Sequence, residues 1–303
     1  MSVNYHGHPG QGSCKLVVKE PRGTTRTGLA GAGRREVGVY QFLAGQLPLI
    51  VPTLIAASPT GDWLLMEAVP PSQDASLWEQ KDYLKAIDAL SQLHDRFWGL
   101  GEDLNAFPWL SRPLRADFGI HVAAGEHAVE KMKYHGKPTY IAEVPSRVKL
   151  LEKLTSNAEM VVAPLRREVS TFLHGDYWPG NISVMRDGSQ IVYDWQLAAI
   201  GPAILDLLVF VKKSFWWFDS LPLDEAEITH YYRERVRSRI GVIWDDEIWE
   251  ELWDAALMWR FLQEWLDLIE ASPEPVLEAR SDLLETVWLE PVLSAIERRL
   301  GDS

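Results

Sequence analysis

Asp194 lies thirteen residues past Asn181, and the chain between them reads as two short strands joined by a turn. Ile182 to Met185 and Gln190 to Tyr193 are rich in β-branched and apolar residues, and Asp187-Gly188 supplies the turn. A hairpin brings its two ends back to the same place. Pro179-Gly180 bends the chain just before it, so that Asp176 and Asn181 project from one loop. Two carboxylates and an amide oxygen then converge on one point. Hard oxygen ligands at that density suit Mg²⁺, which takes one or two carboxylates together with substrate phosphates.

Phosphoryl transfer asks for such a set. One group orients or deprotonates the attacking hydroxyl, and others hold metal against the nucleotide phosphates. The protein-kinase pattern has a catalytic-loop Asp, an Asn five residues later and a metal-binding Asp further on. Here these positions are Asp176, Asn181 and Asp194. A lone Asp-x₄-Asn would mean little, because loops are full of both residues. The weight comes from His174-Gly175 before it and Tyr193-Asp194-Trp195-Gln196 after the hairpin.

The same pattern wants a Lys on a strand and a Glu on the next helix. Lys19 ends the strand LVVK, and Glu36 lies at the start of RREVGVYQFL. By itself Lys19 would be a solvated strand end. In this order it reads as the ammonium that holds nucleotide phosphate, fixed by an ion pair with Glu36. The strand through Met66, Glu67 and Ala68 leads into the inter-lobe link, where backbone amides and carbonyls would hydrogen-bond an adenine edge.

The rest of the chain fits two lobes. Val3 to His8 and Ser13 to Glu20 read as a hairpin turning at Pro9 to Gly12, and Gly23 to Gly33 as a mobile loop. Arg34 to Leu47 is expected to be helical, with Val37, Tyr40 and Leu43 on one face. Thr53 to Ala57 and Trp63 to Val69 are expected strands. Pro70-Pro71 marks the boundary between an N-terminal nucleotide-binding lobe, 1–70, and a C-terminal catalytic and substrate-binding lobe, 71–303. Beyond it Lys81 to Trp98 and Val148 to Leu165 read as helices. Residues 101–145 read as irregular, and the chain is helical again from Ile204. Eight of the 14 Trp lie past residue 200, and Trp249, Trp253 and Trp265 recur at helical spacing, which reads as core.

With these residues in view, the sequence resembles the aminoglycoside phosphotransferase family of small-molecule kinases. The resemblance is carried by His174-Gly175-Asp176 through Asn181, by Asp194-Trp195-Gln196 in place of the kinase Asp-Phe-Gly, and by Asp206 in GPAILDLL. Leu93-His94 with Phe97-Trp98 is also similar to that family's first helix of the large lobe. The resemblance implies an α+β, protein-kinase-like two-lobe fold with a small β-rich N-lobe and a large, mainly helical C-lobe. It implies Asp176 as the base, Asn181 and Asp194 on Mg²⁺, Lys19 with Glu36 on ATP, and His174 and Asp206 as braces of the catalytic loop. Two departures are visible. Only eighteen residues precede Lys19, and Gly7, Gly10 and Gly12 do not match G-x-G-x-x-G, so the first strand and phosphate loop are expected to be missing or shortened. Trp178 stands where protein kinases often carry a Lys, two residues past the catalytic Asp, which speaks against protein substrates.

Charge narrows the partners. The net charge of −13 argues against nucleic acid, whose phosphates need clustered Lys and Arg. Residues 201–303 hold 9 Asp and 13 Glu against 2 Lys and 8 Arg, a net −12, read either as solvated surface or as steering for a cationic substrate. A single cysteine, Cys14, no signal-peptide pattern and no 18-residue apolar run lead to the expectation of a cytoplasmic protein that does not enter a membrane. The expected activity is ATP-dependent phosphorylation of a small-molecule hydroxyl. An acidic, aromatic pocket would suit an amine-bearing acceptor such as an aminoglycoside or a choline-like compound. The alternative is a kinase-like binding module that lacks a complete phosphate loop.

Overall fold

The structure, a computed structural model, describes residues 2–7, 10–20, 29–70 and 73–301. Its N-terminal part is built on four antiparallel strands in the order β1-β2-β4-β3: β1 (Ser2–Gly7), β2 (Gly10–Lys19), β3 (Leu54–Ala57) and β4 (Leu64–Glu67). Of the expected Pro9 to Gly12 turn, Gly10 and Gly12 already belong to β2 and pair with Gly7 and Tyr5, while residues 8 and 9 lie outside the described residues. Residues 23–28 of the expected Gly/Thr-rich loop, and Pro71 of the boundary, also lie outside them. Lys19 is the last residue of β2 and pairs with Leu64, which is fully buried.

The helix expected over Arg34 to Leu47 forms as Ala32–Gly38, continues as a wider turn over Val39–Leu43 and tightens at Ala44–Gln46. Val37, Tyr40 and Leu43 are buried on its inner face, as their spacing predicts. Gly38 is needed where the helix meets the large lobe: a Cβ there would sit 2.6 Å from the ring of Trp109. Trp109 and Phe107 pack in turn on Phe42, with ring centroids 6.3 and 6.4 Å away.

The large lobe is mainly helical. Gln80–Arg96 buries Tyr83, Ala86, Ile87, Leu90 and Leu93, and a capping box between Glu79 and Asp82 starts it. Residues 101–145 are more regular than their Pro, Gly and aromatic content suggests, because Phe118–His135 is an eighteen-residue helix. Its packing explains this. His121, Gly125, Ala128, Val129 and Met132 are buried along one stripe, and Gly125 lets the helix approach Leu262 and Leu266, within 3.4 Å of a notional Cβ. The helix expected over Val148 to Leu165 is two, Pro145–Ser156 and Ala158–Arg167, broken at Asn157. From Ile204 the chain is helical, as expected, with Trp249 and Trp265 buried and Trp253 stacked on Trp249 at 6.1 Å. Each such aromatic contributes about 1.5–3 kcal/mol by leaving water.

Two small sheets carry the loops of interest. β5 (Ser170–Leu173) pairs antiparallel with β8 (Ala199–Pro202), and β6 (Ile182–Val184) forms the expected hairpin with β7 (Gln190–Val192). Ile50 bridges Ile191, and the Val192 amide donates to the Ile50 carbonyl at 2.8 Å, so the hairpin is tied to the N-terminal lobe.

Several acids of the C-terminal third are engaged in ion pairs. Glu270 meets Lys131 at 3.3 Å, Glu274 meets Lys137 at 2.6 Å, Glu225 meets Lys212 at 2.8 Å, and Asp254 takes both Arg298 and Arg299. Of these, the pairs of the exposed Lys131 and Lys137 add about 0–1 kcal/mol each. Among the described residues no helix is long and apolar enough to cross a membrane.

Candidate active site

Asp206 organises the loop that follows β5. Its two carboxylate oxygens accept hydrogen bonds from the backbone amides of His174 and Gly175, both at 2.8 Å. His94 adds its Nε2 at 3.4 Å, and its Nδ1 lies 2.7 Å from the hydroxyl of Tyr232. His94, His174 and Asp206 are all fully buried. A buried charge is tolerated only where it is this completely satisfied. Gly175 makes the turn possible, since its φ is +80° and a Cβ would lie 1.9 Å from the Leu197 carbonyl oxygen.

His174 transmits that anchoring to Asp176. Its Nε2 donates to the Tyr193 carbonyl at 3.0 Å, and its Nδ1 accepts the Asp176 amide at 3.2 Å. Those roles require a neutral ring, and burial lowers the pKa of His174, which favours that form. Asn181 fixes Asp176 from the other side: its Nδ2 donates to the Asp176 carbonyl at 2.9 Å and to Oδ2 at 3.0 Å. The Asp-x₄-Asn spacing is thus the closure of one short loop.

Beside the loop, next to Tyr193, Lys19 Nζ lies 2.9 and 2.8 Å from the two carboxylate oxygens of Glu36 and 2.7 Å from Oδ1 of Asp194. Burial disfavours the Lys19 ammonium, but Glu36 and Asp194 outweigh it and raise its pKa, so Lys19 is charged. Asp194 has a left-handed backbone, φ 68°, and among the described residues no other non-glycine has a positive φ. Such strain persists where the surroundings fix it, and it clusters at functional sites. Arg35 holds the next turn, its Nε donating to the Gln196 carbonyl at 2.7 Å. The structure therefore gathers Lys19, Glu36 and Asp194 in one ion-paired group and Asp176, Asn181, His174 and Asp206 in one hydrogen-bonded loop.

Met66, Glu67 and Ala68 line the link, but two of their amides are already used. Glu67 donates to the Thr53 carbonyl and Ala68 to the Lys15 carbonyl, each at 2.9 Å.

Lys213 was not legible as a site residue. It reaches from the Ile204–Trp217 helix to pair with Oδ1 of Asp176, with its Nζ 5.7 Å from the centre of the Trp178 ring. A signal existed: Lys213 is seven residues past Asp206, two helical turns, hence on the same face.

This arrangement coincides with the comparisons. The phosphotransferase enzyme family (APH) matches residues 3–240. The chain belongs to that family. Among solved structures, amicoumacin kinase hAmiN in complex with AMP-PNP, Ca²⁺ and Ami is similar at 14% identity, with a TM-score of 0.57, covering 98% of this chain and 85% of the other. The streptomycin-ATP-APH(2")-IIa ternary complex matches at 15% identity and a TM-score of 0.54, over 96% and 93% of the two chains. The microcompartment-associated aminopropanol kinase matches at 13% identity and a TM-score of 0.52, over 99% and 89%. Among curated proteins there is no sequence match. These likenesses establish the kinase-like fold, a small strand-containing N-terminal lobe on a larger helical one.

One consequence for this phosphotransferase concerns pH. His121 is buried beside the loop that follows β5, and its pKa is lowered by burial, with Arg260 and Arg35 adding to the effect against Asp117. Its folded pKa is below the unfolded value of about 6.5. The unfolded chain therefore binds more protons below about pH 6.5, and stability falls as pH drops from there through the depressed folded value. His174 behaves alike. His121→Gln is expected to reduce the slope of unfolding free energy against pH by up to about 1.4 kcal/mol per unit below about pH 6.5. Denaturant melts at several pH values check this, and an unchanged slope would remove His121 from the account.

Proposed function

We propose that this chain transfers the γ-phosphoryl group of ATP to a hydroxyl of a small molecule. The observation that carries the reading is the pairing of two assemblies across one cleft: Lys19 bridging Glu36 and Asp194, and Asp176 held by Asn181, His174 and Lys213. Residues 1–70 act as the nucleotide-binding lobe and 71–303 as the catalytic and substrate-binding lobe. Lys19, kept in place by Glu36, holds nucleotide phosphate. The carbonyls of Met66, Glu67 and Ala68, and the amide of Val69 beyond them, border the adenine. Asp176 aligns the acceptor hydroxyl and takes its proton as the new oxygen–phosphorus bond forms and the bond from the γ-phosphorus to the β–γ bridging oxygen breaks.

The donor set fits Mg²⁺. The Asn181 Nδ2 is committed to Asp176, which leaves its amide oxygen without a hydrogen bond among the described residues. Asp194 gives one oxygen to Lys19, leaves the other without a donor, and its side chain is 35% exposed. Among the described residues no three His, Cys, Asp or Glu side chains form a closed metal cage. An amide, one or two carboxylates and the phosphates themselves are the open set that Mg²⁺ uses. Bound there, the ion would neutralise charge on the phosphates.

Thermal unfolding with and without ATP and Mg²⁺ tests the nucleotide half of this reading. At about a hundred times its dissociation constant, ATP should stabilise the protein by roughly 2.7 kcal/mol. The stabilisation should require Mg²⁺ and vanish in Asp194→Ala. No shift in the wild type at millimolar ATP would turn the reading toward a kinase-like binding module.

A further inference from the structure

On the flank of Asp176 the cleft wall is a row of aromatic rings carrying two cations. Trp178 stacks on Trp217 at 6.0 Å and leans on Phe218 at 6.2 Å. Lys213 lies at one end of the row, over Trp178 and against Asp176. Arg280 lies at the other, its guanidinium carbon 4.6 Å from the centre of the Trp217 ring and 5.2 Å from that of Trp216.

Arg280 is the unusual member. Among the described residues it has neither a hydrogen-bond acceptor nor a carboxylate partner, and its Nη1 is buried without one. Of the acids nearby in sequence, Glu274 pairs with Lys137, Glu285 with Arg147 and Glu270 with Lys131, and neither Glu278 nor Asp282 forms an ion pair with Arg280. Stacking on indoles holds the guanidinium in place but satisfies none of its five N–H groups. The residue is only partly buried, so one edge stays within reach of solvent. At the C-terminal end of the Ile204–Trp217 helix, Trp217 keeps 49% of its surface exposed, and Trp178, Trp216 and Phe218 around it are half-buried.

The geometry points to an acceptor that carries an anionic group and an apolar, flat body: its hydroxyl at Asp176, its body along the exposed edge of Trp178 and Trp217, its carboxylate or equivalent anion on Arg280. This rests on the phosphotransferase reading above and names the substrate class for it. A planar guanidinium with unmet donors is suited to a carboxylate, which it binds through paired hydrogen bonds. An amine-bearing acceptor would instead set its cation beside the unpartnered guanidinium of Arg280, an unfavourable match.

A matched series separates charge from shape. 4-Hydroxyphenylacetate, tyrosol and tyramine share one ring and one phenol and differ in whether the tail is anionic, neutral or cationic. Their binding to the full chain is measured by ligand-observed NMR in the presence of ADP and Mg²⁺. The expected result is that the anion binds about tenfold tighter than the amine, the size of one charge-assisted hydrogen-bonded contact. Arg280→Gln should bring the three within about twofold of one another, and Arg280→Lys, which keeps the charge but not the planar fork, should restore part of the preference. Equal binding of all three, tighter binding of tyramine, no binding of any of them, or a preference untouched in Arg280→Gln would overturn the inference. Nucleotide stabilisation is read separately on the same samples. Loss of the anion preference with ATP still binding sinks the substrate class alone, whereas absence of ATP binding sinks the kinase reading.

Discussion

Asp176→Asn is expected to lower kcat by about 10²–10⁴-fold while the protein remains folded and continues to bind ATP. The substitution keeps the shape of the side chain and removes its charge. The Asp176 backbone bonds to His174 and Asn181 do not depend on that charge, so the loop holds its course. What is lost is the acceptor for the hydroxyl proton. Lys213 loses its carboxylate partner while only 16% exposed, so a stability loss of about 1–3 kcal/mol accompanies the loss of turnover, the Asn amide oxygen remaining as an acceptor for the ammonium. Steady-state kinetics alongside nucleotide-induced melting shifts checks the pair of effects. A variant that has lost ATP binding would mean the residue supports the fold of the cleft, and one with full turnover would remove it from the chemistry.

Asp206→Ala should have the largest effect on stability. Its carboxylate is the acceptor for two backbone amides and faces His94; Asp206, His94 and His174 are fully buried and Gly175 partly so. Removal leaves two buried N–H groups unpaired, each costing about 1–3 kcal/mol. The expected loss is about 3–5 kcal/mol, or roughly 10 °C in melting temperature for a chain of this size. Asp206→Asn should be only slightly milder, because an amide presents one oxygen where two are needed and turns its NH₂ toward an N–H donor. Activity should fall in parallel with the folded fraction in both. A melting temperature within a degree or two of the wild type would show that the loop is held by other contacts.

The two cases illustrate what the sequence could and could not disclose. The Asp176–Asn181 loop was legible because its chemistry is local: five residues, a Pro-Gly bend and a hairpin that closes on itself. The order Lys19, Glu36, Asp194 was legible as a pattern, and the structure adds that one ammonium contacts both carboxylates. Lys213, Arg35 and Arg260 were not read, because each reaches the loop from an element distant in the chain. Arg260, for example, donates to the Gly175 carbonyl at 3.3 Å across 85 positions. The pairing of β5 with β8 was missed for the same reason, two four-residue strands meeting across an intervening hairpin. The Phe118–His135 helix was hidden by composition. Its Gly125 looks like a breaker in sequence and is a packing device in space. The acidic excess was read as solvated surface or steering. Several of its acids are engaged in ion pairs with bases at 131–167 and with its own arginines, which no periodicity announces.

The central claim is that a phosphoryl group leaves ATP for a small-molecule hydroxyl at Asp176. The direct test is to incubate the purified chain with ATP, Mg²⁺ and a panel of hydroxyl-bearing metabolites and to search the mixture by mass spectrometry for compounds that have gained one phosphoryl group. The account predicts such a product with the wild type, dependent on Mg²⁺ and absent with Asp176→Asn. Product formed equally by the variant, or a wild type that binds ATP and phosphorylates no member of a broad panel, would contradict it.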